Sequence, residues 1–207
     1  MKIMTKLNII TILYRKEFLE QQYETIPKKK FIKWIICKTK SWGHIPKYIK
    51  NSKELNVKVC EVNCEETRSA FEKKADLGLR NMDHGYFFFL DDDNKIHKNM
   101  IKTFQEFKFS NYEMIIGKQQ RKNKQIYLNA WYPAYGMIDM GNVLCHTKVA
   151  KKVNYFKNIH KHAFKVYGTN DIDAYDYPFW ILCKEAIEQK NTLLLNDRII
   201  ANYNFFR

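Results

Sequence analysis

The sequence predicts an α/β protein in which a mostly parallel central sheet is flanked by helices. Strand-like and helix-like segments alternate four times between residues 8 and 90, as they do in βα units. One strand, residues 86–90 (YFFFL), is wholly apolar, as strands buried in a parallel sheet are. Three aspartates follow it, Asp91, Asp92 and Asp93, at the strand end where such sheets bind ligands.

The first half of the chain divides into regular elements. Apolar runs and one alternating pattern predict strands at residues 8–13, 31–37, 56–62 and 86–90. Apolar residues at helical spacing predict a helix that ends at Pro27 and another over residues 71–82, with a short helix at 46–53. The order of these elements is that of a βα series, which builds a parallel sheet.

The second half is less regular. A helix is predicted from Ile96 through Phe104, and strands at residues 113–117 and 125–129. Thr147 is a suitable cap for a helix that runs to residue 156. A late helix at residues 179–187 and a last strand at 193–195 complete the prediction.

Size and composition restrict the class of protein. The 207 residues, 45% of them hydrophobic, suit one globular domain over residues 1–207. The apolar run at residues 7–14 is too short to span a bilayer, so any membrane contact is peripheral. The five cysteines are odd in number and contain no C-x-x-C pair, which favours reduced thiols in the cytoplasm. The net charge of +14 is typical of a solvated, lysine-rich surface; attraction to anions such as nucleotide phosphates, anionic lipid or nucleic acid is the alternative, and charge does not choose among them.

The triple aspartate requires a chemical explanation. A turn needs one Asp or Asn, whereas three adjacent carboxylates repel one another unless a cation lies among them. Mg²⁺ and Mn²⁺ prefer such oxygen ligands. A charged turn without metal is the alternative. An EF-hand is excluded, because Ile96 and Lys102 occupy the loop positions that require Gly and Glu.

At this point the chain resembles the GT-A-fold glycosyltransferases of the broad family-2-like kind. The opening NIITILYRKEFLEQQYETIP is similar to their first strand and helix, and FIKWIIC to their second strand. KKADLGLRNMDHGYFFFLDDDNKIHKNMI resembles their helix, buried strand, DXD motif and following helix. GMIDMGNVLCHTKVAKKV and DAYDYPFWILCKEAIE resemble their acceptor-side segments. The resemblance covers nearly the whole chain.

The resemblance implies a single GT-A (Rossmann-like) domain that transfers a sugar from a nucleotide sugar, with UDP-sugars favoured, to an acceptor hydroxyl. Residues 1–95 would form the half that binds the nucleotide sugar, and residues 96–207 the acceptor-side half. The acceptor would be a glycan, a protein or a lipid-linked molecule, and nucleic acid is not an expected partner. The sugar would be a hexose or a deoxyhexose.

The resemblance also assigns roles to the three aspartates. Asp93 would bind Mn²⁺ or Mg²⁺ directly, and Asp91 would bind the metal, its hydration water or the ribose. Asp92 would assist with the nucleotide or the metal. The chemistry agrees, because a metal held by carboxylates neutralises the charge that develops on a diphosphate leaving group.

Four further residues are candidates for donor binding. Thr11, Tyr14 and Arg15 stand at the end of the first strand and would hold the base and ribose. Lys74 lies on the helix before the DXD strand, where relatives often place a basic residue near the diphosphate; a solvated helix lysine is the alternative. Many relatives carry a base-reading aspartate at the end of the second strand, and here residues 37–39 read Cys-Lys-Thr.

An inverting transferase requires a carboxylate to take the proton of the acceptor hydroxyl. Asp176 is the predicted base, because it precedes the late helix at the position where similar enzymes carry an acidic residue. Asp173 is the second candidate. A plain helix cap is the alternative for Asp176.

Two other functions compete with this interpretation. Phosphatases of the haloacid-dehalogenase type also place D-x-D after a buried strand, but near the chain start and followed by Thr or Val rather than Asn94 and Lys95. A basic, non-enzymatic nucleic-acid-binding domain would explain the charge and the 15% aromatic residues, yet no recognised RNA or DNA motif is present.

Overall fold

The computed structural model describes residues 4–65, 68–128, 140–153, 191–203 and 205–206. Four parallel strands form the first half of one sheet. They are β1 (Lys6–Ile12), β2 (Ile32–Thr39), β3 (Asn56–Val62) and β4 (Gly85–Phe89), in the spatial order β3-β2-β1-β4. The sheet continues from β4 through five shorter or later strands. They are β5 (Lys95–Ile96), β6 (Met114–Arg121), β7 (Ile126–Leu128), β8 (Val143–His146) and β9 (Thr192–Tyr203).

Helices cover both faces of this sheet. They are α1 (Leu19–Thr25), α2 (Lys47–Lys50), α3 (Arg68–Arg80), α4 (Lys98–Phe107) and α5 (Thr147–Val153). One apolar cluster joins one face to α3 and α5, through residues such as Phe71 and Val149. The other cluster joins the opposite face to α1, α2 and α4, through Leu19, Ile49 and Phe104. The molecule is therefore a three-layer α/β/α domain.

Burial along the strands follows their place in the sheet. All five residues of the inner strand β4 are buried, whereas in the edge strand β3 only Cys60 is buried and the other residues are exposed or partly buried. Gly85 opens β4 with a φ of 142°, and a Cβ there would lie 2.1 Å from the carbonyl oxygen of Lys6. Only glycine allows β1 and β4 to approach this closely at that point.

The predicted fold class is confirmed, with corrections to its elements. The helix predicted from Ile96 begins at Lys98, and Ile96 lies in β5. The helix predicted at residues 179–187 lies outside the described residues. The sequence predicts a last strand at residues 193–195, and β9 covers Thr192–Tyr203. The polar residues Asn196, Asp197 and Arg198 end the apolar pattern, so the sequence does not show that the strand continues. In the structure they lie at a register shift opposite Gly117 and Lys118 on β6. Within the described residues, no helix combines the length and the apolar character needed to cross a membrane.

Candidate active site

The candidate site lies where β1 and β4 are neighbours. The chain builds β1, β2 and β3 in one direction and then places β4 on the other side of β1. Such a reversal leaves a crevice at the carboxyl ends of the two strands, which is where open α/β sheets bind ligands. Tyr14 and Arg15 follow β1, and residues 91–94, the aspartate turn, follow β4.

Asp92 joins the two strand ends. Its carboxylate is fully buried, and Oδ2 accepts hydrogen bonds of 2.7 Å from the backbone N–H groups of both Tyr14 and Arg15. Oδ1 accepts from the Arg15 guanidinium, through Nε at 2.9 Å and through Nη2. The buried charge of Asp92 is therefore satisfied by four donors on the loop after β1.

Arg15 also binds the next carboxylate. Its Nη1 donates to Oδ2 of Asp93 at 3.0 Å, and Asp93 is 3% exposed. Burial disfavours the charged guanidinium, but the hydrogen bonds and charges of Asp92 and Asp93 outweigh it and raise the pKa of Arg15. A cation thus lies among the aspartates, and it comes from the chain itself.

A second network fixes the backbone of the aspartate turn. Gln22 of α1 is fully buried and donates through Nε2 to the Asp91 carbonyl oxygen at 2.8 Å. Gln22 Oε1 accepts from the Thr11 hydroxyl at 2.9 Å, and that hydroxyl accepts from Trp34 Nε1 at 2.9 Å. Inside the turn, Asn94 donates through its backbone N–H to the Asp91 carbonyl at 2.9 Å. These bonds tie the turn to α1, β1 and β2.

Tyr14 presents its ring at the end of β1 above a buried lysine. Lys74 of α3 is fully buried, and its Nζ donates to the Leu13 carbonyl at 2.9 Å. The same Nζ lies 3.7 Å from the centre of the Tyr14 ring, a cation–π contact. Tyr14 is 39% exposed. Lys74 therefore contacts the Tyr14 ring, and the residue remains partly accessible to solvent.

The last strand returns to the aspartate turn. Strand β5 directly follows the turn and pairs with β9 in the antiparallel sense, Ile96 opposite Ala201. Beyond β9, the backbone N–H of Phe206 donates to the Asp93 carbonyl at 3.1 Å. The Phe206 ring stacks on Phe18, with ring centres 6.1 Å apart.

The aspartate turn offers only oxygen ligands to a metal. Across the described ranges, no group of three or more His, Cys, Asp and Glu side chains is arranged to hold a metal ion. Mg²⁺, however, is usually bound by one or two carboxylates together with substrate phosphates. Asp91 and Asp93, two residues apart at the end of β4, supply that number of carboxylates.

The structure brings most of the predicted residues together. Asp91, Asp92 and Asp93 share the turn, and Tyr14, Arg15 and Lys74 lie at the end of β1. Thr11 is buried within the network of Gln22 and Trp34. The predicted bases, Asp173 and Asp176, lie outside the described residues.

Sequence reasoning missed Gln22 and Phe206, and neither carries a local signal. Gln22 is one polar residue among several on α1, and its burial depends on how α1 packs on the sheet. Phe206 reaches Asp93 only because β9 returns along β5.

No protein-family model and no curated protein matches this sequence. Solved structures do match, and they include those of S. aureus TarS. The structure of its residues 1–349 superposes with a TM-score of 0.70 at 14% identity, covering 96% of this chain and 60% of that one. The same part of TarS in complex with UDP-GlcNAc gives 0.69 at 13% identity, and in complex with UDP 0.67 at 14%, again with 96% of this chain covered.

This similarity shows a shared fold. The chain has the Rossmann-like α/β architecture of TarS residues 1–349 and spans about 60% of their length. An identity of 14% carries no individual residue from one protein to the other.

Proposed function

We propose that this protein is a metal-dependent glycosyltransferase that moves a hexose or deoxyhexose from a nucleoside-diphosphate sugar, preferably a UDP-sugar, to an acceptor hydroxyl. One observation carries the proposal. The Arg15–Asp92–Asp93 cluster lies at the β1/β4 crevice, in a fold whose TarS structures contain UDP-GlcNAc and UDP. A carboxylate cluster without metal would repel a diphosphate, so the proposal includes a cation.

Formal charge supports one divalent ion. Asp91, Asp92 and Asp93 contribute −3 and Arg15 contributes +1, so the cluster carries −2. One Mn²⁺ or Mg²⁺ ion balances that charge. Asp93 and Asp91 would hold it, and when bound it would neutralise the charge of the departing diphosphate. Asp92 would act through Arg15 and the loop after β1 rather than on the nucleotide.

The residues at the end of β1 would bind the nucleoside. The Tyr14 ring would stack on the base, and Lys74, 3.7 Å from the ring centre, would add positive charge beside it. Arg15 would orient Asp93 and contact the ribose. Thr11 would support the aspartate turn through Gln22, since its hydroxyl already has two buried partners.

A transfer that inverts the anomeric centre requires a base. Asp176, or failing it Asp173, would accept the proton of the acceptor hydroxyl as its oxygen bonds to the anomeric carbon and the bond to the diphosphate breaks. This assignment rests on the sequence segment DIDAYDYP. The acceptor is proposed to be a glycan, a protein or a lipid-linked molecule, and the protein to act in the cytoplasm with at most peripheral membrane contact.

A screen of nucleotide sugars tests the proposal. The protein should hydrolyse one of them slowly in the presence of Mn²⁺ or Mg²⁺, and chelation should stop the reaction, because transfer to water replaces transfer to an acceptor. Thermal stabilisation by UDP with Mn²⁺ should accompany it. Stabilisation by an oligonucleotide without metal, together with no hydrolysis of any donor, would refute the proposal in favour of a nucleic-acid-binding domain.

A further inference from the structure

Three phenyl rings form a line that starts at the aspartate turn. We name this line, Phe18, Phe206 and Phe205, the phenyl ridge. The Phe18 and Phe206 rings stack with centres 6.1 Å apart, and Phe205 meets Phe206 edge-on at 5.6 Å. All three rings are partly buried, unlike the core ring of Phe88 at 0% exposure. Each ring of the ridge therefore keeps part of its surface accessible to solvent.

One end of the ridge is joined to the candidate site. The Arg15 guanidinium carbon lies 5.5 Å from the centre of the Phe18 ring, and the same guanidinium binds Asp92 and Asp93. The Phe206 N–H binds the Asp93 carbonyl at 3.1 Å. A molecule lying along the ridge would consequently reach the proposed metal ligands.

The other end of the ridge is cationic. The Nζ atoms of Lys95 and Lys122 lie 4.5 and 6.0 Å from the centre of the Phe205 ring. Lys122 stands in the exposed turn between β6 and β7, where Lys124 adopts a φ of 66°. Of the carboxylates that the structure describes, none forms an ion pair with Lys95 or Lys122.

These features suit a particular ligand. Phenyl faces pack against the C–H faces of sugars, and contiguous apolar patches rimmed by polar residues mark ligand-binding grooves. An ammonium over a phenyl ring gains only about 0.5–1 kcal/mol at an exposed site, so the two lysines remain available for a stronger, charged partner. A phosphate, sulfate or carboxylate group is such a partner.

We propose that the phenyl ridge is the acceptor-binding track and that the acceptor is a glycan bearing anionic groups. The sugar rings would pack along Phe18, Phe206 and Phe205, and the anionic groups would bind Lys95 and Lys122. This inference rests on the proposed function, since it treats the aspartate turn as the donor site. It adds the chemical class of the acceptor, which the aspartate turn does not determine.

Binding of defined oligosaccharides tests the track. The probes are a sulfated heparin hexasaccharide and neutral maltohexaose. They are titrated into the wild type and into a Lys95→Ala/Lys122→Ala variant, which we call the ridge variant because both lysines lie at the Phe205 end of the ridge. A Lys47→Ala/Lys50→Ala variant is the matched control, because it removes the same charge from α2, which packs beside the far edge strand β3. The ridge variant should lose about tenfold in affinity for the sulfated probe, the size expected for two exposed charge contacts, and the control should lose much less.

Two further measurements identify the ligand and the role of the rings. Phe205→Leu should weaken the binding of both hexasaccharides, because it removes the ring face and leaves the lysines. Added salt should weaken only the sulfated probe. Vesicles of phosphatidylglycerol and phosphatidylcholine test whether the two lysines bind a lipid surface instead. The ridge variant should bind these vesicles as the wild type does.

Equal losses of sulfated-probe affinity in the ridge variant and the control would overturn the proposal, as would loss of vesicle binding alone in the ridge variant. UDP titration with Mn²⁺ separates the two levels of inference. If the wild type binds UDP and the ridge variant retains the sulfated probe, the acceptor track is wrong and the donor site stands. If UDP does not bind but the ridge variant loses the probe, the proposed function is wrong and the glycan site stands.

Discussion

The two edges of the parallel strands bury polar groups in opposite ways. At the amino edge, Asn8 of β1 is fully buried, and its side chain donates at 3.0 Å to the carbonyls of Asp83 and Tyr86 and accepts from the Asp83 N–H at 2.9 Å. At the carboxyl edge, the buried group is the ionised Asp92, bound to Arg15. The buried group with many partners is thus a neutral amide at the first edge and an ion-paired carboxylate at the second.

The difference bears on the site that we propose. Neutral, fully partnered groups stabilise a fold at low cost, whereas buried charges are expensive to desolvate and often add little stability. If stability were the only requirement, we would expect buried neutral groups with hydrogen-bond partners, as at Asn8, at both edges. The charged cluster at the carboxyl edge therefore favours a functional role, and substitutions at the two edges should separate stability from activity.

The largest expected effect belongs to the proposed base. Asp176→Asn should reduce turnover by about 10²–10⁴-fold, the usual contribution of a general base, with unchanged melting temperature and UDP affinity. Asn caps a helix nearly as well as Asp, so a structural role predicts no loss of activity. Near-normal turnover in steady-state assays would leave Asp176 as a cap and point to Asp173, or to a retaining mechanism with no such base.

At the amino edge, Asn8→Ala should lower the free energy of unfolding by about 2–3 kcal/mol, because it removes three side-chain hydrogen bonds to the backbone of Asp83 and Tyr86. Urea denaturation measures this loss. The folded variant should bind UDP with wild-type affinity in calorimetry. A large loss of UDP affinity in the folded variant would contradict the separation of the two edges.

Tyr14→Ala tests the carboxyl edge without removing a charge. It should weaken UDP binding by about 1–3 kcal/mol if the ring stacks on the base, by analogy with base stacking in nucleic-acid complexes. Tyr48→Ala is the control, since Tyr48 is 53% exposed on α2. Equal UDP affinities for the Tyr14 variant and the wild type would show that the uracil ring does not stack on Tyr14.

A smaller expected effect is a dependence of the free energy of unfolding on pH, caused by His146 at the amino edge. Burial, with lesser contributions from Lys148 and His84, lowers the pKa of His146 from 6.5 to about 4, despite the opposing charge of Glu113. The unfolded chain binds this proton more readily, so stability is complete above pH 6.5 and is lost as the pH falls through about 4. His146→Gln should flatten the loss between pH 7 and 5, which is at most about 2 kcal/mol. Parallel stability curves for variant and wild type would exclude His146 as the titrating group.

How far the sequence predicted the site depends on whether the pattern was local. The apolar residues 86–90 and the three aspartates lie together in the chain, so the strand and its charged end could be predicted. The pairing of Arg15 with Asp92 could not, because it requires β1 and β4 to be neighbours although 77 residues separate the two side chains. The full length of β9 was missed because the polar residues 196–198 interrupt its apolar pattern. Arg198 among them forms an ion pair with Glu106 of α4 at 2.7 Å, a partner that only the folded chain brings near.

Calorimetric titration of UDP into the wild type and into Asp93→Asn, each with Mn²⁺ and with chelator, tests the central claim most directly. The amide oxygen that this substitution introduces can still accept a hydrogen bond from Arg15, so the variant should fold and melt like the wild type. The account predicts that UDP binds the wild type only with Mn²⁺ and that Asp93→Asn abolishes this metal-dependent binding. Equal Mn²⁺-dependent affinity in the two proteins would contradict the assignment of the aspartate turn as a metal–nucleotide site.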